Sequence, residues 1–157
     1  MSGPLTYESA FAYLLSLGER FTPIGRSALT FSGEPPEGSE YALVLVEADP
    51  QGSEIIGEGQ RPTGQDSFTI AVQVLTQAAS TAVLDLHAAQ VLTNSWVDML
   101  CEQLRKERPG QLVGANRLAL PGVAGSALAC GWRVELQLKL VKDIDRAAIA
   151  ALFTPQV

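Results

Sequence analysis

The residues from Trp132 to Val141 alternate between large apolar and polar side chains, and no other feature limits the fold as strongly. Successive side chains of a strand point to opposite faces, so such alternation is typical of a strand that buries one face and exposes the other. The inward positions are Trp132, Val134, Leu136, Leu138 and Leu140, and the outward positions are Arg133, Glu135, Gln137 and Lys139. We therefore expect a layered fold in which the apolar face of a sheet is covered and the other face is solvated.

Other segments also have strand character. The continuous apolar run from Tyr41 to Glu47 predicts a strand in the sheet interior, and the alternation from Ser67 to Thr76 predicts a half-buried strand. Further strands are expected at Gln111 to Leu120 and, briefly, at Ser27 to Phe31. The glycine- and proline-rich residues 48–67 predict a long hairpin arm with a flexible, polar tip.

Three helices are predicted from apolar spacing and capping residues. The first runs from Thr6, its N-cap, to Gly18 at the C′ position, and the last runs from about Asp143 to Phe153 with Asp143 or Asp145 as cap. The longest runs from Thr81 to Lys106 and is expected to pack through one apolar stripe. That stripe consists of Leu84, Ala88, Val91, Leu92, Ser95 and Met99 and, further round, Trp96 and Leu100.

The order of these elements predicts an α+β fold. We expect a mostly antiparallel sheet of four to six strands, with the long helix and the N-terminal helix packed on one face. A length of 157 residues fits a single domain over residues 1–157, of which 143–157 form a short C-terminal helical extension.

No pattern of catalytic or ligand-binding residues is visible. His87 is the only histidine; it lies off the apolar stripe without a GxSxG context, so we expect a partly exposed helix residue. Cys101 and Cys130 make no CxxC spacing and are expected to be buried small hydrophobic residues. The glycines of the arm form neither a GxGxxG nor a GxxxxGK[ST] motif. We predict no enzyme activity, no cofactor and no metal site.

The charged residues argue against two classes of ligand. The carboxylates Glu47, Asp49, Glu54 and Glu58 lack the spacing of a calcium loop and are expected to be solvated, as are those of the long helix. A total of 17 acidic against 11 basic residues gives a net charge of −6, which disfavours sequence-specific binding to nucleic acid. An acidic surface can instead let a polyanion pass without adsorbing.

The segment from Leu118 to Cys130 has no charged residue, although its proline and glycines mark it as a connection. Loops are normally polar, so this one is expected to be covered, either by its own domain or by a neighbouring subunit. The predicted subunit interface comprises, in this loop and in the arm, Leu120, Val123, Leu128, Ile55, Ile56 and Gly59.

No apolar stretch approaches the roughly 20 residues that a membrane span requires, so we expect a soluble protein. Met1 to Pro4 lack the basic and apolar regions of a secretory signal, so the cytoplasm is the expected location, where a virion protein would assemble.

The succession of elements resembles the tail terminator proteins of tailed bacteriophages, and it covers most of residues 5–142. The resemblance is one of pattern, size and order, without an invariant motif, and other head–tail joining proteins share much of it. The segments that carry it are Tyr7 to Leu17, Tyr41 to Glu47, the arm from Asp49 to Gln65, Phe68 to Leu75, Leu84 to Leu104, and Trp132 to Val141.

This resemblance implies a structural subunit of the virion tail or neck. Copies would form a ring, commonly of six, that caps the tail tube and meets the head-completion or neck protein, while DNA passes through the lumen without sequence-specific binding. The family contributes no enzymatic residues. The alternatives are another head–tail connector or neck protein, a small soluble binding module, or an uncharacterised enzyme.

Overall fold

A computed structural model describes residues 3–31, 42–120 and 129–156. In these ranges three helices accompany six strands. The helices are α1 (Tyr7–Arg20), α2 (Val83–Glu107) and α3 (Arg146–Leu152). The strands are β1 (Ser27–Thr30), β2 (Leu43–Glu47), β3 (Gln51–Ile56), β4 (Pro62–Gln77), β5 (Leu112–Leu120) and β6 (Ala129–Val141).

All six strands belong to one sheet in the order β1-β2-β4-β6-β5, and β3 pairs separately with β4. The pair β1 and β2 is parallel, whereas every other pair is antiparallel. The predicted α+β fold with a mostly antiparallel sheet is therefore confirmed.

β4 is long enough to organise the whole sheet. It pairs with β6 from Gln65 to Gln77, with β2 through its second half, and with β3 through its first half. β3 and the first residues of β4 form the predicted hairpin arm, which turns through a short 3-10 segment at Glu58–Gln60. Helices α1 and α2 pack on the face of the sheet that carries Val72, Val134 and Leu138.

α1 begins as predicted and ends later. Thr6 and Ser9 form a reciprocal capping box at its start. Gly18 was predicted to end the helix, but the helix continues to Arg20. A Cβ atom on Gly18 would lie 2.8 Å from Cβ of Val44. The glycine thus serves close approach of α1 to β2 and does not end the helix.

Two expectations about the sheet faces need correction. Every residue of β2 is buried, and so is every residue from Ile70 to Leu75, so the middle of β4 is closed on both faces and not half-buried. The face predicted to be solvated is exposed along β6 at Glu135, Gln137 and Lys139. Over β2 and the middle of β4 that same face is buried.

None of the helices in the described ranges has the length and apolar character needed to cross a lipid bilayer.

Candidate assembly surface

The inner face of α2 completes the core. It is buried against the sheet, and the hydroxyl of Thr93 is satisfied within the helix, where it donates to the carbonyl oxygen of Ala89 at 2.8 Å. The indole of Trp132 on β6 donates to the carbonyl oxygen of Gln90 at 2.8 Å. The residues of this face are Ala89, Thr93, Trp96, Val97, Leu100, Cys101 and Leu104.

The apolar stripe predicted to pack against the sheet lies mostly on the opposite side. Leu84 is 82% exposed, Val91 57% and Met99 55%. At about 100° per residue, the predicted stripe and the buried residues fall on different sides of the same helix. Only Trp96 and Leu100, which were placed at the edge of the stripe, are buried. The prediction chose the wrong face because α2 has two apolar faces.

We call Leu84, Ala88, Val91, Leu92 and Met99 the outer face of α2; all five are exposed. Residues 86–97 of this helix contain no Asp, Glu, Lys or Arg. A helix that is apolar all round is typical of one covered on all sides, and a contiguous exposed apolar patch commonly marks an interaction site. The outer face of α2 is therefore the leading candidate for a contact with another protein.

A groove of about 420 Å³ adjoins the C-terminal end of this outer face, at Met99. It runs between α2 and the segment that follows α1, and its lining includes Phe21, Pro23 and Met99. The phenyl ring of Phe21 packs edge-on against the indole of Trp96, with 6.0 Å between the centroids, which ties the groove wall to the core. Arg20 and Gln103 also line the groove, so it adds a recess of mixed polar and apolar character beside the apolar outer face.

The C-terminal helix α3 presents a second apolar surface. Its side chains are exposed wherever they are described, and Leu152 and the following Phe153 are 78% and 72% exposed. Asp145 caps the helix by accepting hydrogen bonds from the amides of Ala147 and Ala148, at 3.0 and 3.1 Å. α3 does not pack appreciably against any other described helix or strand. Seven residues are fewer than an isolated helix usually needs to be stable in water.

The arm carries three of the predicted interface residues. Ile56 and Gly59 are exposed, Ile55 is half-buried, and Gly59 has a φ of 68°, which suits glycine. Lys142 forms ion pairs with Glu54 and Asp66, so the base of the arm is held against the end of β6. The base of the arm is thus fixed, whereas flexibility was predicted only for its tip.

The other three predicted interface residues belong to the uncharged loop. Leu120 is half-buried at the end of β5. Val123 and Leu128 lie outside the described residues.

A charged cluster fixes the C-terminal end of α2 to α1. Arg20 donates two hydrogen bonds to the carboxylate of Glu107, at 2.7 and 2.8 Å, and Tyr13 donates a third at 2.6 Å. The hydrogen bonds from Arg20 and Tyr13 hold the pKa of Glu107 well below its usual range. Burial and the bond to Glu107 raise the pKa of Tyr13 to about 12. The guanidinium of Arg108 lies 4.6 Å from the centroid of the Tyr13 ring.

Glu47 was predicted to be solvated, and this was wrong. Its side chain is buried on the sheet face away from the helices, where it accepts hydrogen bonds from Arg133 at 2.8 and 3.1 Å. Burial alone would raise the pKa of Glu47, but the bonds from Arg133 and Gln73 outweigh burial and lower it. Gln73 pairs with Arg133 across β4 and β6, and Glu47 lies two residues beyond Leu45, the partner of Gln73 on β2, a juxtaposition that spacing along the chain does not reveal.

The cysteines and the histidine lie in different surroundings. Cys101 and Cys130 are buried, as predicted, and burial raises the pKa of both thiols. His87 is exposed on α2, beside the outer face. Over the part of the chain that the structure describes, no three His, Cys, Asp or Glu side chains are grouped so that they could hold a metal ion.

Comparisons with protein-family models, with curated proteins and with solved structures find no match to this chain.

Proposed function

We propose that the chain is a structural subunit that assembles with copies of itself into a ring of the tail-terminator kind. The ring would cap the tail tube of a phage, face the head-completion or neck protein on its other side, and lie in the virion at the junction of tail and head. The observation that carries this proposal is the outer face of α2, because the fold of one copy leaves it uncovered.

A ring is favoured over a simple pair by the number of distinct surfaces. The outer face of α2, the exposed helix α3 and the tip of the arm at Gly57 to Arg61 are separate apolar or protruding regions of one chain. Ring closure needs a heterologous contact, in which one patch of a subunit meets a different patch of the next. Two-fold pairing would need only one self-complementary patch.

The net charge of −6 is compatible with a lumen through which DNA passes. Like charges disfavour adsorption of the phosphate backbone, so DNA would move without sequence-specific binding. No enzymatic step and no cofactor enter this function.

The test is the mass of the protein in solution by light scattering, with particle images by negative-stain electron microscopy. We expect a closed ring, alone or after addition of the tail tube protein, since some assemblies form only when a partner binds. A chain that stays monomeric at high concentration and does not co-purify with a tail tube protein would contradict the proposal and favour a monomeric binding module.

A matched pair of variants locates the contact. Val91→Asp places a charge on the outer face of α2, whereas Val113→Asp places it on an equally exposed valine of β5; the two side chains are 57% and 50% exposed. We expect Val91→Asp to abolish assembly because burying an unpaired carboxylate is costly, while Val113→Asp leaves assembly intact. Equal loss in both variants would argue against a specific role of α2.

A further inference from the structure

Two of the exposed apolar surfaces among the described residues are helical, and both have long stretches without charge. Residues 86–97 of α2 and residues 147–157, which include all of α3 except its first residue, Arg146, contain no Asp, Glu, Lys or Arg. Small residues dominate α3, with Ala147, Ala148, Ala150 and Ala151 around Ile149. Such a helix can approach another helix closely, because small side chains reduce the distance between the axes.

We infer that α3 of one copy binds the outer face of α2 in a neighbouring copy, as a strap that joins adjacent subunits. Leu152 and Phe153 are its anchors, and the groove beside Met99 offers a recess next to that face. This inference rests on the proposed ring and adds which segment of one subunit contacts which face of the next.

The position of the end of β6 shows why α3 cannot reach the N-terminal part of this face in its own copy. The side chain of Gln111 donates to the carbonyl oxygen of Lys139 at 2.9 Å, and the amide of Lys139 donates to the carbonyl oxygen of Gln111 at 2.8 Å. Gln111 follows α2 closely in sequence, so the chain leaves β6 beside the C-terminal end of α2.

The reach of the chain from that point is short. β6 ends at Val141, so the linker consists of the four residues 142–145, which span at most about 14 Å, and Ile149 lies about 6 Å further along α3. Along α2, Ala88 lies about 28 Å from Glu107 at the C-terminal end. A reach of about 20 Å is shorter than this distance, so the N-terminal part of the outer face, around Ala88, is accessible only to α3 of another copy.

The area of the contact shows whether α3 alone could hold two copies together or only adds to a larger interface. Ile144, Ile149, Leu152 and Phe153 each carry on the order of 100 Å² of apolar surface, or about 400 Å² together. A stable pair of proteins buries about 800 Å² on each partner. α3 alone is therefore too small to hold two copies together, and it must add to a larger contact, as a strap in a ring does.

Crosslinking of mixed copies tests the contact directly. Ile149→Cys changes the middle of α3 and spares its two anchors, while Ala88→Cys adds a small apolar thiol to the outer face of α2. After mixing the two variants and oxidising with copper phenanthroline, we expect a disulfide-linked dimer. A chain with both substitutions should give a ladder that ends at the ring.

Three controls accompany this experiment. The native chain should give no crosslink, because Cys101 and Cys130 are buried. Ile149→Cys mixed with Glu135→Cys, an exposed position on the other face of the sheet, should give none either. A chain with both Ile149→Cys and Ala88→Cys that crosslinks only within a monomer would overturn the inference in favour of binding within one copy.

A second readout is the stability of the ring to dilution. Leu152→Asp combined with Phe153→Asp should raise the concentration at which the ring dissociates at least tenfold, whereas Gln156→Asp should not. Unfolding of the monomer should not change, because α3 does not pack on its own domain. A native ring without the crosslink would overturn the strap and leave the ring proposal standing; no assembly, even with a tail tube protein, would overturn both.

Discussion

The inner and outer faces of α2 have similar side chains in opposite surroundings. Val97 and Leu104 on the inner face are almost completely buried against the sheet. Val91 and Leu84 on the outer face have the same side chains and stand in solvent. Composition therefore does not distinguish the two faces of this helix; only their neighbours do.

This difference separates residues that fold the chain from residues that can join chains. Burial of the inner face contributes the free energy that holds α2 on the sheet. The outer face contributes nothing comparable in one copy, because its side chains stay in water when the chain folds. Its apolar surface has an energetic role only when another protein covers it.

The largest effect expected in a single copy comes from exchanging matched leucines of the two faces for alanine. Leu104→Ala removes a side chain that is 1% exposed, and the cavity and lost transfer energy should lower the free energy of unfolding by about 2–5 kcal/mol. Leu84→Ala, at an 82% exposed position, should change it by no more than about 0.5 kcal/mol. Urea denaturation followed by circular dichroism measures both.

These measurements belong in a monomeric background, for which the Val91→Asp variant is suitable. If Leu84→Ala destabilised the monomer as strongly as Leu104→Ala, the outer face would have to be covered within one chain. In the assembled protein, Leu84→Ala should instead weaken association.

The contrast between β6 and α2 shows when the buried face of an element can be predicted from the sequence. In β6 the alternation of Val134, Leu136, Leu138 and Leu140 with polar residues allows one inward face, and these four residues are buried as predicted. In α2, Thr93 belongs to the buried face, whereas leucines and a methionine lie outside. Apolar periodicity identifies the face that packs only where the opposite face is polar.

The missed features depend on contacts across the sheet or between distant segments. Gly18 was predicted to end α1, because the local sequence does not show that Val44 packs closely against this position. Glu47 was predicted to be solvated, because its partner Arg133 is 86 residues away in the sequence. For the outer face of α2, one local signal was present: the absence of charge from residue 86 to residue 97.

A smaller effect is expected at the C-terminal end of α2, where polar contacts replace apolar packing. Glu107→Gln loses the ion pair with Arg20 and should lower the free energy of unfolding by about 1 kcal/mol at neutral pH, since the pair is partly exposed. The pKa of Glu107 is lowered in the folded state, so its stabilisation is present above the ordinary pKa of 4.5 and is lost as the pH falls below that value.

The difference in stability between the native protein and Glu107→Gln should therefore shrink as the pH falls from 5 towards 2. Thermal unfolding across this range checks it, with Glu102→Gln as the control, because Glu102 pairs only with the exposed Arg105. A difference that stays constant with pH would show that the carboxylate contributes no charge-dependent stability.

The smallest effect is expected on the alkaline side, at Tyr13. Its pKa is raised to about 12 by burial and by the bond to Glu107, so the folded state favours the neutral phenol. The associated stability is present below the ordinary pKa of 10 and is lost as the pH rises from 10 towards 12. The Tyr13→Phe variant cannot ionise at this position and should lose less stability than the native protein over that interval, although losing the hydrogen bond costs about 1 kcal/mol at neutral pH.

Tyr7→Phe, at an exposed tyrosine of the same helix, is the matched control. If the stability of both variants follows the same pH dependence as the native protein, ionisation of Tyr13 does not affect stability. The C-terminal end of α2 would then be held by Arg20 and Glu107, without a contribution from the phenol.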